Sequence, residues 1–169
     1  MSKIYLTAPC PVCGKRMFLN SHGYQCEGCT FHIPSFICNR RMTPQEVEKI
    51  LSGEDIILDG FSSNAGKVFS SIPVIVGHEI KLDNTVYTSP VLGRVIVGTK
   101  GFMCATEDGQ QRSKLRVQRI YNGHPVTADE VKVLLHDGNV AIDTFDDEGN
   151  PQQQTLSFDM RTQRVSFHL

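Results

Sequence analysis

The 169-residue sequence has almost no net charge, 17 Lys plus Arg against 18 Asp plus Glu. No global field therefore draws it toward nucleic acid or an anionic membrane, and any such surface has to be local. It has no apolar run of about 18 residues, which excludes a membrane-spanning helix. Its start, Met1-Ser2-Lys3-Ile4-Tyr5, has one charge and no apolar core of secretory length, so no signal peptide is expected. The bias of a disordered chain is missing too: 40% hydrophobic and 21% charged residues fit one ordinary domain or two small ones. No nucleophile–base pair, phosphate-cradling Gly-rich loop or open metal position stands out, so an enzyme is not expected.

What is present is cysteine. Six cysteines without a secretion signal point to a reducing, cytoplasmic compartment, where paired cysteines are more often metal ligands than disulfides. Cys10, Cys13, Cys26 and Cys29 read Cys-x2-Cys, twelve residues, Cys-x2-Cys. Two-residue gaps let both sulfurs of a pair reach one ion, and the intervening segment can form a hairpin that joins the pairs. Gly14 and Gly28 stand at the two knuckles, where tight turns are needed. Four thiolates fill a tetrahedral shell, so one structural Zn2+ in a zinc ribbon is expected. An iron centre of the rubredoxin type takes the same ligand set. The bland alternatives are free buried cysteines or a redox pair, and a redox pair needs no second pair. His22 and His32 read as surface or turn residues, Cys38 as a buried apolar filler, and Cys104 as a free thiol with nothing beside it to activate it.

The chain also reads as two tandem, diverged units, 8–82 and 86–169. Cys10-Pro11-Val12-Cys13-Gly14-Lys15 lies over Ser89-Pro90-Val91-Leu92-Gly93-Arg94, Gly23-Tyr24-Gln25-Cys26 over Gly101-Phe102-Met103-Cys104, and Thr43-Pro44-Gln45-Glu46-Val47 over Thr127-Ala128-Asp129-Glu130-Val131. The offsets stay between 78 and 84 residues. The second unit has lost the metal, since Leu92 cannot ligate, and Val95, Ile96, Val97 and Phe102 are expected to hold its shape by packing. Each unit shows one short helix. Thr43 and Glu46 form a capping box with Pro44 at the first helical position, Val47, Ile50 and Leu51 make an apolar face, and Gly53 ends the helix. Thr127, Glu130, Val131, Leu134, Leu135 and Gly138 do the same later.

Strands are expected at 17–20, 24–26, 31–33, 56–58, 67–72 and 74–76, then at 95–97, 115–120, 140–142, 155–158 and 165–168. The fold class is α+β: two small antiparallel sheets, each with one short helix.

Several of these segments resemble a known repeat. Cys10-Pro11-Val12-Cys13-Gly14, Gly23-Tyr24-Gln25-Cys26, Phe31-His32-Ile33-Pro34, Thr43-Pro44-Gln45-Glu46 and the run from Asp59 to Phe69 (Asp-Gly-Phe-Ser-Ser-Asn-Ala-Gly-Lys-Val-Phe) are similar in kind and order to the C-terminal repeat of bacterial DNA topoisomerase III-type (type IA) enzymes. That repeat also occurs in proteins of plasmids and conjugative elements. The likeness covers nearly all of the first unit; the second is a degenerate copy. It implies a nucleic-acid-binding accessory module for single strands, acting beside a topoisomerase, relaxase or primase of a mobile element. It does not imply topoisomerase activity: no acidic Toprim-type strand ends are found, and Tyr5, Tyr24, Tyr87 and Tyr121 lack an active-site context. The fit of two whole units favours a complete small protein.

The residues carry a compatible surface. Between positions 8 and 41 the cations Lys15, Arg16, Arg40 and Arg41 face one acid, Glu27, and Phe18, Tyr24, Phe31, His32 and Phe36 are interleaved with them. Cations that track phosphates and aromatic faces that stack bases are what single-strand binding needs. The candidate contacts are Lys15, Arg16, Phe18, Tyr24, Phe36, Arg40, Arg41 and Lys67. A small ribbon has little core, however, and its aromatics are also needed for burial. The second unit has nine cations against ten acids over 86–169; Arg112, Lys114 and Arg116 would share one strand face. Asp146-Asp147-Glu148 before Gly149 reads as a solvated turn. The competing reading is a protein–protein adaptor in which zinc is only a folding staple, marked by an exposed apolar patch.

Overall fold

The computed structural model describes residues 3–105 and 115–168. Arg112 and Lys114 lie outside them. The architecture is small antiparallel sheets with two helices among the described residues. The chain divides into two compact units, Met1–Asp83 and Asn84–Leu169.

In the first unit, β1 (Ile4–Pro9), β2 (Arg16–Asn20), β3 (Gly23–Cys26) and β4 (His32–Pro34) form an antiparallel sheet in that order. Its inner face is apolar because strand side chains alternate. Met17, Tyr24 and Ile33 are all but fully buried. A two-stranded hairpin follows, β5 (Phe36–Ile37) and β6 (Arg40–Arg41). Its turn residues Cys38 and Asn39 both have positive φ, 45° and 63°, the backbone of a tight hairpin turn. That turn puts Cys38 on the surface. The expectation of a buried filler is corrected here, because the short apolar thiol was read without the turn it occupies.

Helix α1 (Pro44–Leu51) starts at Thr43 with both halves of the expected capping box in place and buries Val47, Ile50 and Leu51. Glu48 on its other side reaches β1, where both carboxylate oxygens accept from the amides of Thr7 and Ala8. These amides lie where a register shift between Tyr5 and Pro9 interrupts the β1–β2 ladder. The carboxylate thus takes up donors at an irregular edge. β7 (Leu58–Ser62), β8 (Val68–Val76) and β9 (Glu79–Asp83) complete the unit. The two strands expected on either side of Pro73 are one strand. β8 pairs first with β7 and then with β9, and Pro73 lies past the last β7 partner, Ser71.

The second unit runs through the same order of element types. β10 (Thr85–Ser89), β11 (Gly93–Val97), β12 (Gly101–Cys104) and β13 (Val117–Gln118) form a four-stranded sheet; β14 (Ile120–Tyr121) and β15 (His124–Pro125) form a hairpin. The single strand expected over 115–120 is split at Arg119, where pairing passes from β12 to β15. Helix α2 (Ala128–Asp137) carries a second capping box, Thr127 with Glu130, and ends on Gly138 at φ 90°. β16 (Asn139–Phe145), β17 (Pro151–Asp159) and β18 (Arg164–His168) form the last sheet. Leu92, Val95, Val97, Phe102 and Leu115 are buried, whereas Ile96 is half-exposed on the opposite strand face.

Candidate metal centre and nucleic-acid interface

The two knuckles sit at one end of the first sheet. The Gly14 amide donates to the Cys10 carbonyl at 2.9 Å, and Gly14 takes φ 77°, a left-handed turn that favours glycine. The Val12 amide points at Cys10 Sγ (3.4 Å) and the Gly28 amide at Cys26 Sγ (3.3 Å). The two knuckles therefore approach their first sulfur in the same way. A Cβ on Gly28 would lie 2.6 Å from Lys15 Cγ, so glycine is required for the Lys15 stem to lie across the second knuckle.

All four Sγ atoms lie within 4.8 Å of one another. Cys10 Sγ and Cys29 Sγ are 3.7 Å apart, and Cys13 Sγ and Cys26 Sγ 3.3 Å. A tetrahedral ion with metal–sulfur bonds of about 2.3 Å sets its sulfurs about 3.8 Å apart. The same separations are far beyond a disulfide bond of about 2.05 Å. The donor set fits a metal ion, and these four cysteines would hold it.

Their protonation makes the same point. Burial pushes the Cys26 thiol up, but amide donation, led by Gly28, and the neighbouring thiols outweigh it and bring it down to about 7. At Cys29 the Phe31 amide pulls downward, yet burial and the sulfurs of Cys26, Cys13 and Cys10 push it up to about 12. Each thiolate formed opposes the next. A cation at the centre removes that opposition and allows all four to ionise.

The nucleic-acid candidates separate into two groups. Lys15, Arg16, Phe36, Arg41 and Lys67 are exposed, and Phe36 is 62% exposed. None of the four cations makes an ion pair among the described residues. Phe36 pairs across the hairpin with Arg41, so an aromatic face and a cation stand side by side.

Three candidates are corrected. Tyr24 is 1% exposed, and its hydroxyl donates to the Met42 carbonyl at 2.8 Å, which leaves no ring face for a base. Phe18 is 7% exposed, with the Tyr5 ring edge-on at 6.1 Å and Lys3 Nζ 4.4 Å from its centroid. Arg40 is committed to the fold. Its guanidinium makes a two-pronged bond to Glu46 (2.6 and 2.7 Å) and donates to the Asp59 and Arg41 carbonyls. Of the other interleaved aromatics Phe31 is buried, while His32 is exposed.

Sequence reasoning passed over Tyr5. It stands 39% exposed on the edge strand, with the Arg16 guanidinium 3.6 Å from its ring centroid. The signal available was an aromatic two residues after Lys3 at the start of an apolar–polar run.

In the second unit, Ser89 ends β10 and Leu92 lies in the turn to β11, and the Leu92 amide donates to Ser89 Oγ at 3.0 Å. Leu92 is buried and Cys104 half-buried. Asp146 closes a turn, accepting from the Glu148, Asn150 and Gly149 amides. No helix among the described residues is long and apolar enough to cross a membrane. The chain matches no protein-family model, no curated protein and no solved structure.

Proposed function

We propose that the protein is a non-catalytic accessory factor that binds single-stranded nucleic acid. In this reading one structural zinc ion staples the first unit, and the second unit is a metal-free copy of it. The observation that carries the metal assignment is the closed set of four sulfurs, with separations of 3.7 and 3.3 Å, a little under the edge of about 3.8 Å of a zinc–thiolate tetrahedron. With all four donors from the protein no position remains for a substrate, which favours a structural role.

Strand register supports the copy. Met17 pairs with Cys26 and Val95 with Cys104, both partners displaced by 78 residues; Tyr24 pairs with Ile33 and Phe102 with Val117, displaced by 78 and 84. The step of six residues falls between Cys104 and Val117, in place of the second knuckle. At Gly23 an added Cβ would meet Ile33 O at 2.7 Å, and at Gly101 it would meet Val117 O at 2.5 Å, the same close approach in both units.

Lys15, Arg16, Arg41 and Lys67 supply phosphate contacts and Phe36 a stacking face. The partner is single-stranded DNA, with a topoisomerase, relaxase or primase acting on the same strand. Fluorescence polarisation of a labelled single-stranded DNA oligomer tests this on the zinc-loaded protein. Four phosphate contacts predict a salt slope near −2.8, so affinity falls about 50-fold between 50 and 200 mM salt. Neutralising Arg16 or Arg41 weakens binding further. No binding at low salt, or binding indifferent to salt, refutes the reading. That result would favour an adaptor, for which Val91 (65% exposed), Ile120 (58%) and Phe145 (48%) offer apolar surface.

A further inference from the structure

The outer face of the first sheet is built differently from its core face. Register sets Tyr5 opposite Phe18, Phe18 opposite Gln25, and Gln25 opposite His32. These four therefore form one row across β1, β2, β3 and β4, on the face away from Met17, Tyr24 and Ile33. Arg16, two residues before Phe18, projects from the same face. The row spans three interstrand spacings, about 14 Å, room for more than one base. Phe18 is its buried floor. Tyr5 and His32 are open to solvent, and Gln25 is half-exposed.

The cations here lie on rings rather than on carboxylates. The Arg16 guanidinium is 3.6 Å from the Tyr5 centroid, and Lys3 Nζ is 4.4 Å from that of Phe18. The acid in contact is Glu27, whose Oε1 accepts from the Tyr5 hydroxyl at 3.4 Å. An exposed cation–ring contact is weak in water and easily exchanged. A single strand offers both halves of the exchange. A base presents a π-face to Tyr5, and the adjoining phosphate takes up the guanidinium or ammonium that leaves the ring.

We propose that this outer face seats the strand: Tyr5 stacks a base, Arg16 and Lys3 turn onto its phosphates, and Gln25 and His32 extend the path toward β4. The assignment rests on the nucleic-acid reading above and locates it. Charge supports the occupant: two cations, Lys3 and Arg16, lie on the row's rings, and one acid, Glu27, touches Tyr5. An acidic peptide would satisfy the cations and leave the freed ring of Tyr5 uncovered.

The sequence has no tryptophan, so Tyr5→Trp places a single fluorescent reporter in the row. The zinc-loaded, full-length variant is titrated with a single-stranded DNA oligomer and, separately, with a polyglutamate peptide. The DNA should quench the tryptophan, and the peptide should not. Tyr5→Leu should weaken binding about tenfold or more, and Arg16→Gln should reduce the salt slope by about 0.7. Zinc retention and thermal melting check that Tyr5→Leu is folded; if it is not, the tryptophan signal decides. A Tyr5→Trp protein that binds the oligomer without quenching overturns this assignment but leaves the nucleic-acid reading standing. Equal quenching by polyglutamate also overturns it. A parent protein that binds no oligomer at all overturns both.

Discussion

Replacing Glu46 by alanine removes three contacts at once: the two charged bonds to Arg40, at 2.6 and 2.7 Å, and the 3.0 Å acceptor that closes the capping box at the Thr43 amide. The two side chains are only 19% and 20% exposed, so this is more than a surface pair. Hydrogen bonds to charged groups contribute about 1.5–3 kcal/mol, and an N-terminal cap about 0.5–2 kcal/mol. Arg40 keeps the Asp59 and Arg41 carbonyls. The loss should therefore fall at the low end for a broken buried pair, about 3 kcal/mol. Glu46→Gln keeps an acceptor for the Thr43 amide and should lose about half as much.

Urea denaturation at pH 7 reads both variants. Its pH dependence reads the charge. The bonds from Arg40, against opposing burial, hold the Glu46 carboxyl below its ordinary value of 4.5. A carboxyl lowered in the folded state binds protons less readily there than in the unfolded chain. Its contribution is complete above about pH 4.5 and is lost as pH falls toward the lowered folded value. Glu46→Gln should remove that portion of the acid sensitivity. A Glu46→Ala protein within about 0.5 kcal/mol of the parent, or a Gln variant with unchanged acid sensitivity, would refute the clamp.

Three further outcomes are expected. Gly23→Ala places a Cβ 2.7 Å from the Ile33 carbonyl at a backbone φ of 127°; the strain and the forced separation of β3 from β4 should destabilise the first unit by about 2–5 kcal/mol in a denaturant melt. Tyr24→Phe strands the buried Met42 carbonyl and should lower stability by about 1–1.5 kcal/mol, with single-strand affinity unchanged because the ring is buried. A strong zinc chelator should unfold the first unit, followed by loss of circular dichroism and by amide exchange confined to 3–83, and leave exchange protection in the second unit intact.

Much of the local structure was legible because it follows from short-range rules. Thr43 with Glu46 and Thr127 with Glu130 announce their helices by cap chemistry alone, and the four cysteines announce a shared ligand set by spacing. What escaped depends on partners distant in sequence. Tyr24 looked like a stacking aromatic because a two-residue strand period says which residues share a face but not which face meets the core, and Phe18 because its cover on the outer face, Lys3 and Tyr5, comes from the chain some 13 to 15 residues earlier. Once β2 and β3 register against β4, Tyr24 goes into the core and Gln25 goes out. Arg40 looked like a free cation because its carboxylate lies beyond the β6–α1 corner. Cys38 looked buried because its positive φ belongs to a hairpin turn with no glycine to mark it. Tyr5 was passed over because its value comes from Arg16, across the β1–β2 pair.

The most direct test of the account is the metal stoichiometry of the natively purified protein, by native mass spectrometry with elemental analysis. One zinc ion per chain, lost when Cys13 and Cys26 are both changed to serine and retained when Cys38 and Cys104 are, is the predicted result. A metal-free chain that takes up no zinc when all six thiols are reduced would contradict it.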